Sequence, residues 1–316
     1  MQALYFNHFG GPEVLKYGPV SAPQLTATTL FVKPTYIGLN FADIYRRRGT
    51  YHLEPHTPMI DGYEGLGEVV AVGTAVSDFT VGERVLFVDV PFANAELVAV
   101  PSDHAIRVPA QIDDQTAASI GLQGLTADFL AHDLAQNQPN DRVLIHGISG
   151  GVGQLLTQIL IADGVQVYGV ASTEAKRQLA LSLGAKQVFL RQSDWASAYT
   201  AAFDTVFDGA GVTLPLSLNL IHPRGRVVFY GMAGGNPPKI DPIDLMAGSK
   251  SLMTGDLWDF LVDANSRQQR ADRLFKYVLN GQIMVNQPTI YPLAEGAKAH
   301  TALETGQVAG KILLRP

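Results

Sequence analysis

The sequence predicts an α/β protein of two domains, a doubly wound parallel sheet joined to a compact, partly closed β domain. Three observations predict it. A chain of 316 residues exceeds the size at which a single hydrophobic core keeps growing. The first hundred or so residues carry short β-rich runs cut by turn formers, and from about residue 119 short apolar runs alternate with helical patterns. Between Arg142 and Gly164 a buried strand, a glycine-rich turn and an amphipathic helix follow one another.

In order along the chain, strands are expected at Leu4 to Asn7, Thr29 to Ile37, Gly67 to Val72, Arg84 to Phe87, Leu97 to Val100 and Ala105 to Val108, punctuated by Gly10-Gly11-Pro12, Gly73-Thr74, Gly82-Glu83 and Pro101-Ser102-Asp103. Many short strands at close spacing suggest a small barrel-like sheet. The second half gives apolar runs at Val143 to His146, Val165 to Val170, Gln187 to Leu190, Thr205 to Phe207, Val227 to Tyr230 and Leu252 to Thr254, as for parallel strands covered on both faces. Val152, Leu155, Leu156, Ile159 and Leu160 form one helical stripe that Gly164 closes, and a second helix is expected from about Glu174 to Leu183, behind Ser172 and Thr173 and ending at Gly184. After residue 256, Trp258, Leu261, Val262, Leu274, Tyr277 and Val278 suggest helical packing that the polar stretch Asn265 to Arg270 interrupts. Gly310 to Pro316 reads as a terminal strand able to complete the β domain.

Composition narrows the function classes. The formal charge of −6 argues against a nucleic-acid or anionic-membrane surface, the first residues lack a signal-peptide pattern, and no run approaches the roughly 20 apolar residues of a membrane span. A cytoplasmic protein without nucleic-acid or membrane partners is expected. Cysteine is absent, which removes disulfides, a catalytic thiolate and thiolate-ligated metals.

The motif with chemistry is Arg142-Val143-Leu144-Ile145-His146-Gly147-Ile148-Ser149-Gly150-Gly151-Val152-Gly153. Glycines let a backbone turn approach a pyrophosphate, and the N–H groups and dipole at a helix start favour its charge. The spacing departs from the strict G-x-G-x-x-G fingerprint, because Ile148 holds the position of a glycine. A dinucleotide site is expected at Ser149, Gly150, Gly151 and Val152. At the end of the next strand an acidic residue would bind the ribose 2′-hydroxyl of NAD. Val170-Ala171-Ser172-Thr173 offers none at that tip, and Glu174 falls inside the following helix. Ser172, Lys176 and Arg191 suit a 2′-phosphate instead, so NADPH is expected over NADH.

With these residues in view, the chain resembles the zinc-free quinone oxidoreductases of the medium-chain dehydrogenase/reductase superfamily, to which zeta-crystallin belongs. The resemblance covers nearly the whole chain. It is carried by Phe9 to Leu15, Gly38-Leu39-Asn40-Phe41-Ala42-Asp43-Ile44-Tyr45, Gly49-Thr50-Tyr51, Gly62-Tyr63-Glu64-Gly65-Leu66-Gly67-Glu68-Val69, Leu122-Gln123-Gly124-Leu125-Thr126-Ala127, the glycine turn, Asp204 to Asp208, Gly225 to Val228, and Ala299-His300 through Leu303-Glu304 to Gly310-Lys311. It implies a GroES-like catalytic domain over 1–118, a Rossmann NADPH-binding domain over 119–256, and a C-terminal tail over 257–316 completing the first, with the substrate cleft between the domains. It also implies a homodimer. Tyr63 stands where zinc-dependent relatives carry the histidine of a Gly-His-Glu motif. His52, His56, Asp61 and Glu64 have metal-ligating atoms, but Pro55 and Pro58 make that segment a loop, and no metal is expected.

A reductase without zinc ligands suits acceptors that are already electrophilic, quinones or α,β-unsaturated carbonyls, for which positioning supplies much of the rate. The resemblance places Asn40 beside the nicotinamide ribose, and Thr126, Gly231 and Met232 along the nicotinamide. Tyr45 or Tyr51 can hydrogen-bond the developing oxyanion and deliver a proton, or can merely form an aromatic wall. Arg46-Arg47-Arg48 is expected to be a solvated basic face, the alternative being a patch that attracts an anionic acceptor or the cofactor phosphates. The primary expectation is NADPH:quinone reduction. The alternatives are an alkenal, enone or enoyl-thioester reductase, and an NADPH-binding structural protein with little turnover.

Overall fold

A computed structural model describes residues 1–316, which divide into two compact units: Met1–Leu125 with Leu261–Leu279 and Met284–Pro316, and Thr126–Phe260 with Asn280–Ile283.

The second unit is built on a six-stranded sheet. Its strands lie in the order Gln187–Leu190, Gln166–Ala171, Arg142–His146, Phe203–Asp208, Ile221–Phe229 and Ser251–Met253. Every pairing is parallel. Numbered by sequence this is 3-2-1-4-5-6, the dinucleotide-binding order, whose switch point lies beside the first strand, Arg142–His146. The helix Gly151–Ala162 buries Leu155, Leu156, Ile159 and Leu160 as the stripe predicts. It ends before Gly164, which takes φ +81°. Thr173 caps the helix Glu174–Ser182 by accepting a hydrogen bond from the Lys176 N–H.

The first unit holds a seven-stranded sheet. Thr289–Pro292, Ile312–Arg315, Thr29–Leu39, Glu64–Val72, Arg84–Val88 and Ala105–Arg107 follow one another, and Val98–Pro101 also pairs with Thr29–Leu39. A three-stranded sheet orders Lys16–Pro19, Gln2–Phe6 and Met59–Ile60. The core between these elements includes Leu4, Phe6, Leu30, Val32, Ile37, Val85, Phe87, Ile312 and Leu314, all essentially inaccessible to solvent.

The register around Thr29–Leu39 positions the polar residues that follow it. Ile312 stands opposite Leu39 on one side, and Gly65 stands opposite Ile37 on the other. Asn40, the next residue after this strand, is thereby delivered between Lys311 and Glu64.

Two sequence expectations are corrected. The stretch Asn265 to Arg270 does not interrupt a helix. One helix runs unbroken over Ala264–Leu279, and Val262 lies outside it, exposed. The polar residues are accommodated because they bind strand ends: buried Arg267 donates to the Val88 carbonyl at 3.1 Å and to Asp89 at 3.1 Å, and Gln268 pairs with the Arg107 backbone. Nor is Arg46-Arg47-Arg48 a solvated face. Arg46 and Arg47 are fully buried, and Arg48 alone is exposed. Arg47 donates to the Gly10 carbonyl and to His300 Nδ1 at 2.9 Å, and it pairs with Glu304.

Candidate active site

The second unit contributes a backbone cradle. Gly147 adopts φ +70°, a conformation that favours glycine, and a Cβ added there would meet nothing within 4 Å, so the space over the turn is open. Gly150 precedes the first residue of the helix Gly151–Ala162, whose early N–H groups have no intrahelical acceptor. Gly153 has no such freedom, because a side chain there would press on the Gly147 and Ile148 carbonyls. Ile148 is fully buried, and Gly169 on the neighbouring strand makes this possible, since a Cβ at Gly169 would collide with the Ile148 side chain. A glycine is thus displaced from the turn to the adjacent strand. Ser149 is buried, and its carbonyl accepts a hydrogen bond from the Gln154 amide at 2.8 Å. The open turn and the helix start fit a pyrophosphate.

At the tip of the second strand, Ser172, Thr173, Glu174, Leu190, Gln192 and Ser193 line one concavity. Lys176 is partly buried, and its ammonium pKa is lowered by burial first and by the nearby positive charge of Arg191 second. The Arg191 N–H donates to the Ala171 carbonyl at 2.9 Å, so both cations stand at this strand tip, where positive charge favours an anion. Glu174 points its charge elsewhere. Its carboxylate accepts hydrogen bonds from Gln178 at 2.6 Å and from Arg177, and these bonds, Gln178 first, hold its pKa low. The donor set suits a 2′-phosphate better than a ribose diol.

Gly231 and Met232 follow the strand Ile221–Phe229, in a loop tied to its neighbour: Tyr230 N–H donates to the Asp208 carbonyl and Ala233 N–H to the Gly209 carbonyl, both at 3.0 Å. The neighbouring loop is organised by the buried Asp208 carboxylate, which accepts from the Ala210 and Gly211 N–H groups, Thr213 and Ser217. Asp208 lies in a segment that carried the resemblance, but nothing in its spacing marked this role. Thr126 sits on the helix Leu122–Phe129, partly exposed.

The first unit contributes side chains. Asn40, Tyr45 and Tyr51 fall on one short segment built around the helix Phe41–Arg47. The Asp43 carboxylate accepts from the Asn40 N–H at 2.8 Å and fixes the helix start. Tyr45 and Tyr51 meet edge-on with ring centroids 6.5 Å apart, and Tyr51 is 36% exposed. The Arg46 guanidinium lies 3.5 Å from the Tyr63 ring centroid and 5.2 Å from that of Tyr51, and it also donates to Asp43 and to the His52 carbonyl. Burial pushes the Asp43 carboxyl up to about 6, and it raises Asp61 as well, with the Asp43 charge adding to the effect.

Beneath Asn40 lies a network that the sequence reading missed. Glu64 Oε1 accepts from the Asn40 amide at 2.7 Å and from Lys311, while Glu64 Oε2 accepts from the Leu122 N–H at 2.7 Å. Asn40 Oδ1 accepts from Lys311 and from Gln123, each at 3.2 Å. Room for it is made by two glycines, Gly38 and Gly121, where side chains would strike the Glu64 carboxylate. Glu64 is therefore engaged away from His52 and His56, and no three His, Asp or Glu side chains gather in a metal-holding group.

Comparison with known proteins agrees with this geometry. Residues 26–135 match the alcohol dehydrogenase GroES-like domain, and residues 151–259 match the zinc-binding dehydrogenase family. A quinone oxidoreductase of Pseudomonas aeruginosa is 33% identical over 99% of both chains, and a 2-haloacrylate reductase of a Burkholderia species is 31% identical over 100% of this chain and 99% of its own. The crystal structure of Escherichia coli quinone oxidoreductase complexed with NADPH superposes with a TM-score of 0.95 at 29% identity, covering 100% of each chain. No helix is long and apolar enough to cross a membrane. Cradle, cation pair, fold and full-length relatives agree: the chain belongs to the quinone oxidoreductases of the medium-chain dehydrogenase/reductase superfamily.

Proposed function

We propose that this chain catalyses the NADPH-dependent reduction of quinones. The observation that carries the cofactor assignment is the positive charge of Lys176 and Arg191 at the strand tip that ends in Ala171 and Ser172, where the Glu174 carboxylate is occupied on its own helix. The N–H groups around Ser149, Gly150, Gly151 and Val152 would hold the pyrophosphate, Asn40 the nicotinamide ribose, and Thr126, Gly231 and Met232 the nicotinamide. When bound, the cofactor supplies a hydride and this chain supplies position.

Tyr45 and Tyr51 are the acid candidates. Each carries a hydroxyl that can donate to an oxyanion as charge develops on the acceptor, and the Arg46 guanidinium 5.2 Å from the Tyr51 ring centre favours negative charge there. Hydride transfer carries one electron pair to the quinone and gives the hydroquinone monoanion, and one proton delivered to its oxyanion gives the neutral hydroquinone; the net change is one hydride and one proton per quinone. The same residues serve an activated alkene, with hydride at the β-carbon and the proton at the α-carbon, and the 2-haloacrylate relative favours this as the second reading.

The test is oxidation of NADPH and of NADH against an ortho-quinone, a para-quinone, a 2-alkenal and an enoyl thioester, with Tyr45→Phe and Tyr51→Phe alongside. Turnover of quinones with NADPH, lowered in at least one tyrosine variant, is expected. Turnover of the alkenal alone would replace the quinone assignment with the second reading, and a preference for NADH would overturn the role of Lys176 and Arg191. Tight NADPH binding without turnover of any acceptor would leave a binding protein.

A further inference from the structure

We propose that Lys311 is a positioning residue for the cofactor: together with Glu64 it locks the Asn40 carboxamide in one of its two orientations, so that Asn40 presents a single N–H donor. The proposal rests on the placement of Asn40 at the nicotinamide ribose.

A carboxamide has two N–H donors and two acceptor lone pairs. Three of these four are committed at Asn40. One N–H goes to Glu64 Oε1, and both lone pairs of Oδ1 receive donors, from Lys311 and from Gln123. One N–H remains. Reversing the amide would set its NH2 against the Lys311 ammonium and its oxygen against the Glu64 carboxylate; Gln123 can turn its own amide to follow, so Lys311 and Glu64 are the two partners that forbid the reversal. Lys311, Glu64 and Asn40 are each no more than 5% exposed, so water cannot relieve that mismatch. The far end of the lock is equally fixed, because the Leu122 N–H holds Glu64 Oε2. Lys311 reaches this place through the register of the strand Ile312–Arg315 against Thr29–Leu39, 271 positions from Asn40.

The lock can be reversed without stranding a buried charge. In Glu64→Gln combined with Lys311→Met, the Leu122 N–H still demands an acceptor, which turns the new amide so that its NH2 faces Asn40. Asn40 then reverses to accept that bond, and Gln123 Oε1, which has no partner in the wild-type structure, turns to accept from Asn40. The double variant therefore presents an oxygen where the wild type presents an N–H.

The experiment is a thermodynamic cycle on NADPH affinity, measured by fluorescence titration, across wild type, Asn40→Ala, Glu64→Gln/Lys311→Met and the triple variant, with urea midpoints for each. Asn40→Ala and the double variant are each expected to weaken binding roughly tenfold with cooperative unfolding retained. The triple variant is expected to be no weaker than either, because the pair acts only through Asn40. Wild-type affinity in the double variant, or effects that multiply to roughly a hundredfold in the triple, would overturn the role of Lys311 while leaving Asn40 at the ribose. Wild-type affinity in Asn40→Ala would overturn the placement of Asn40 and this proposal with it. If the double variant does not fold, Glu64→Met/Lys311→Met, which frees the carboxamide without reversing it, takes its place: a smaller loss of affinity than in Asn40→Ala, absent in the Asn40→Ala background, is expected, and wild-type affinity would overturn the role of Lys311.

Discussion

The glycine turn of the second unit, where we place the pyrophosphate, and the charged interior of the first are built by opposite means. The turn uses backbone. Its working groups are N–H donors at the start of one helix, contributed by residues within a few positions of one another, and its side chains matter mainly where they are missing. The interior of the first unit uses side chains. Arg47, His300 and Glu304, like Asn40, Glu64 and Lys311, come from distant parts of the sequence and are held by one another. The difference is one of tolerance. A backbone site survives most substitutions that leave its glycines alone, whereas a buried ionic site fails when any one partner is removed, because the others are left charged and unpaired.

The largest effect that would sharpen this contrast is expected at Arg47. Arg47→Ala leaves the Gly10 carbonyl and buried His300 without their donor and leaves Glu304 only the exposed Arg48, and it should cost about 3–5 kcal/mol in urea unfolding, whereas the exposed neighbour change Arg48→Ala should cost less than about 0.5 kcal/mol. Equal costs would break the comparison. Next come the cations of the second unit. Lys176→Ala or Arg191→Ala should each weaken NADPH binding by about 10–100-fold, the worth of a charge-assisted hydrogen bond at about 1.5–3 kcal/mol, and leave NADH binding unchanged. An equal loss for both cofactors would mean that these residues do not read the 2′-phosphate. Gly169→Ala should destabilise by about 1–3 kcal/mol through collision with Ile148, and it should cost much less in an Ile148→Gly background, where the Cβ, Cγ2 and Cδ1 atoms it would strike are all gone. An equal cost in both backgrounds would show that the turn depends on more than room for one side chain.

The smallest effect is a pH slope. Burial, and secondly the Arg47 charge, lower the His300 pKa to about 3, from an ordinary value near 6.5. Its folded pKa lies below its unfolded one, so the unfolded chain binds the extra proton between them. The stability that the neutral imidazole provides is thus complete above about pH 6.5, and it is lost as pH falls toward 3. Asp43 acts in the opposite sense: its carboxyl is raised to about 6, and it loses stability as pH rises from about 4 toward 6. His300→Gln should remove the histidine's share, making stability less sensitive to acidification between about pH 6 and 4, by up to about 1.4 kcal/mol per pH unit. An unchanged slope in chemical denaturation would show that His300 does not titrate across this range.

The same contrast explains what the sequence disclosed. Parallel strands, the helix stripe from Leu155 to Leu160 and the glycine turn are local patterns, and local patterns are written in consecutive residues. Arg46-Arg47-Arg48 misled for the complementary reason. Three adjacent arginines look like a surface because the partners that make burial tolerable, Asp43, Tyr63, His300 and Glu304, become visible only when distant strands and helices are brought together. The polar run from Asn265 to Arg270 misled similarly, since its acceptors are the ends of strands nearly two hundred positions away. Lys311 and Glu64 were legible as members of family motifs, but their bond to Asn40 depends on strand register, which no local pattern encodes.

The pairing of Ile312–Arg315 with Thr29–Leu39 also sets an order of assembly. During synthesis the residues around Asn40 and Glu64 emerge first, and the strand that carries Lys311 into place emerges after the whole of Thr126–Phe260. At 5–20 residues per second the interval is roughly 10–50 s. Throughout it Glu64 lacks its ammonium partner and Arg47 lacks Glu304, so the barrel-like unit waits half-made while its neighbour has every strand it needs. Of the two units, the one whose strands are made earlier is thus the one completed later, and the edge at Ile37–Leu39 lacks its partner strand until then.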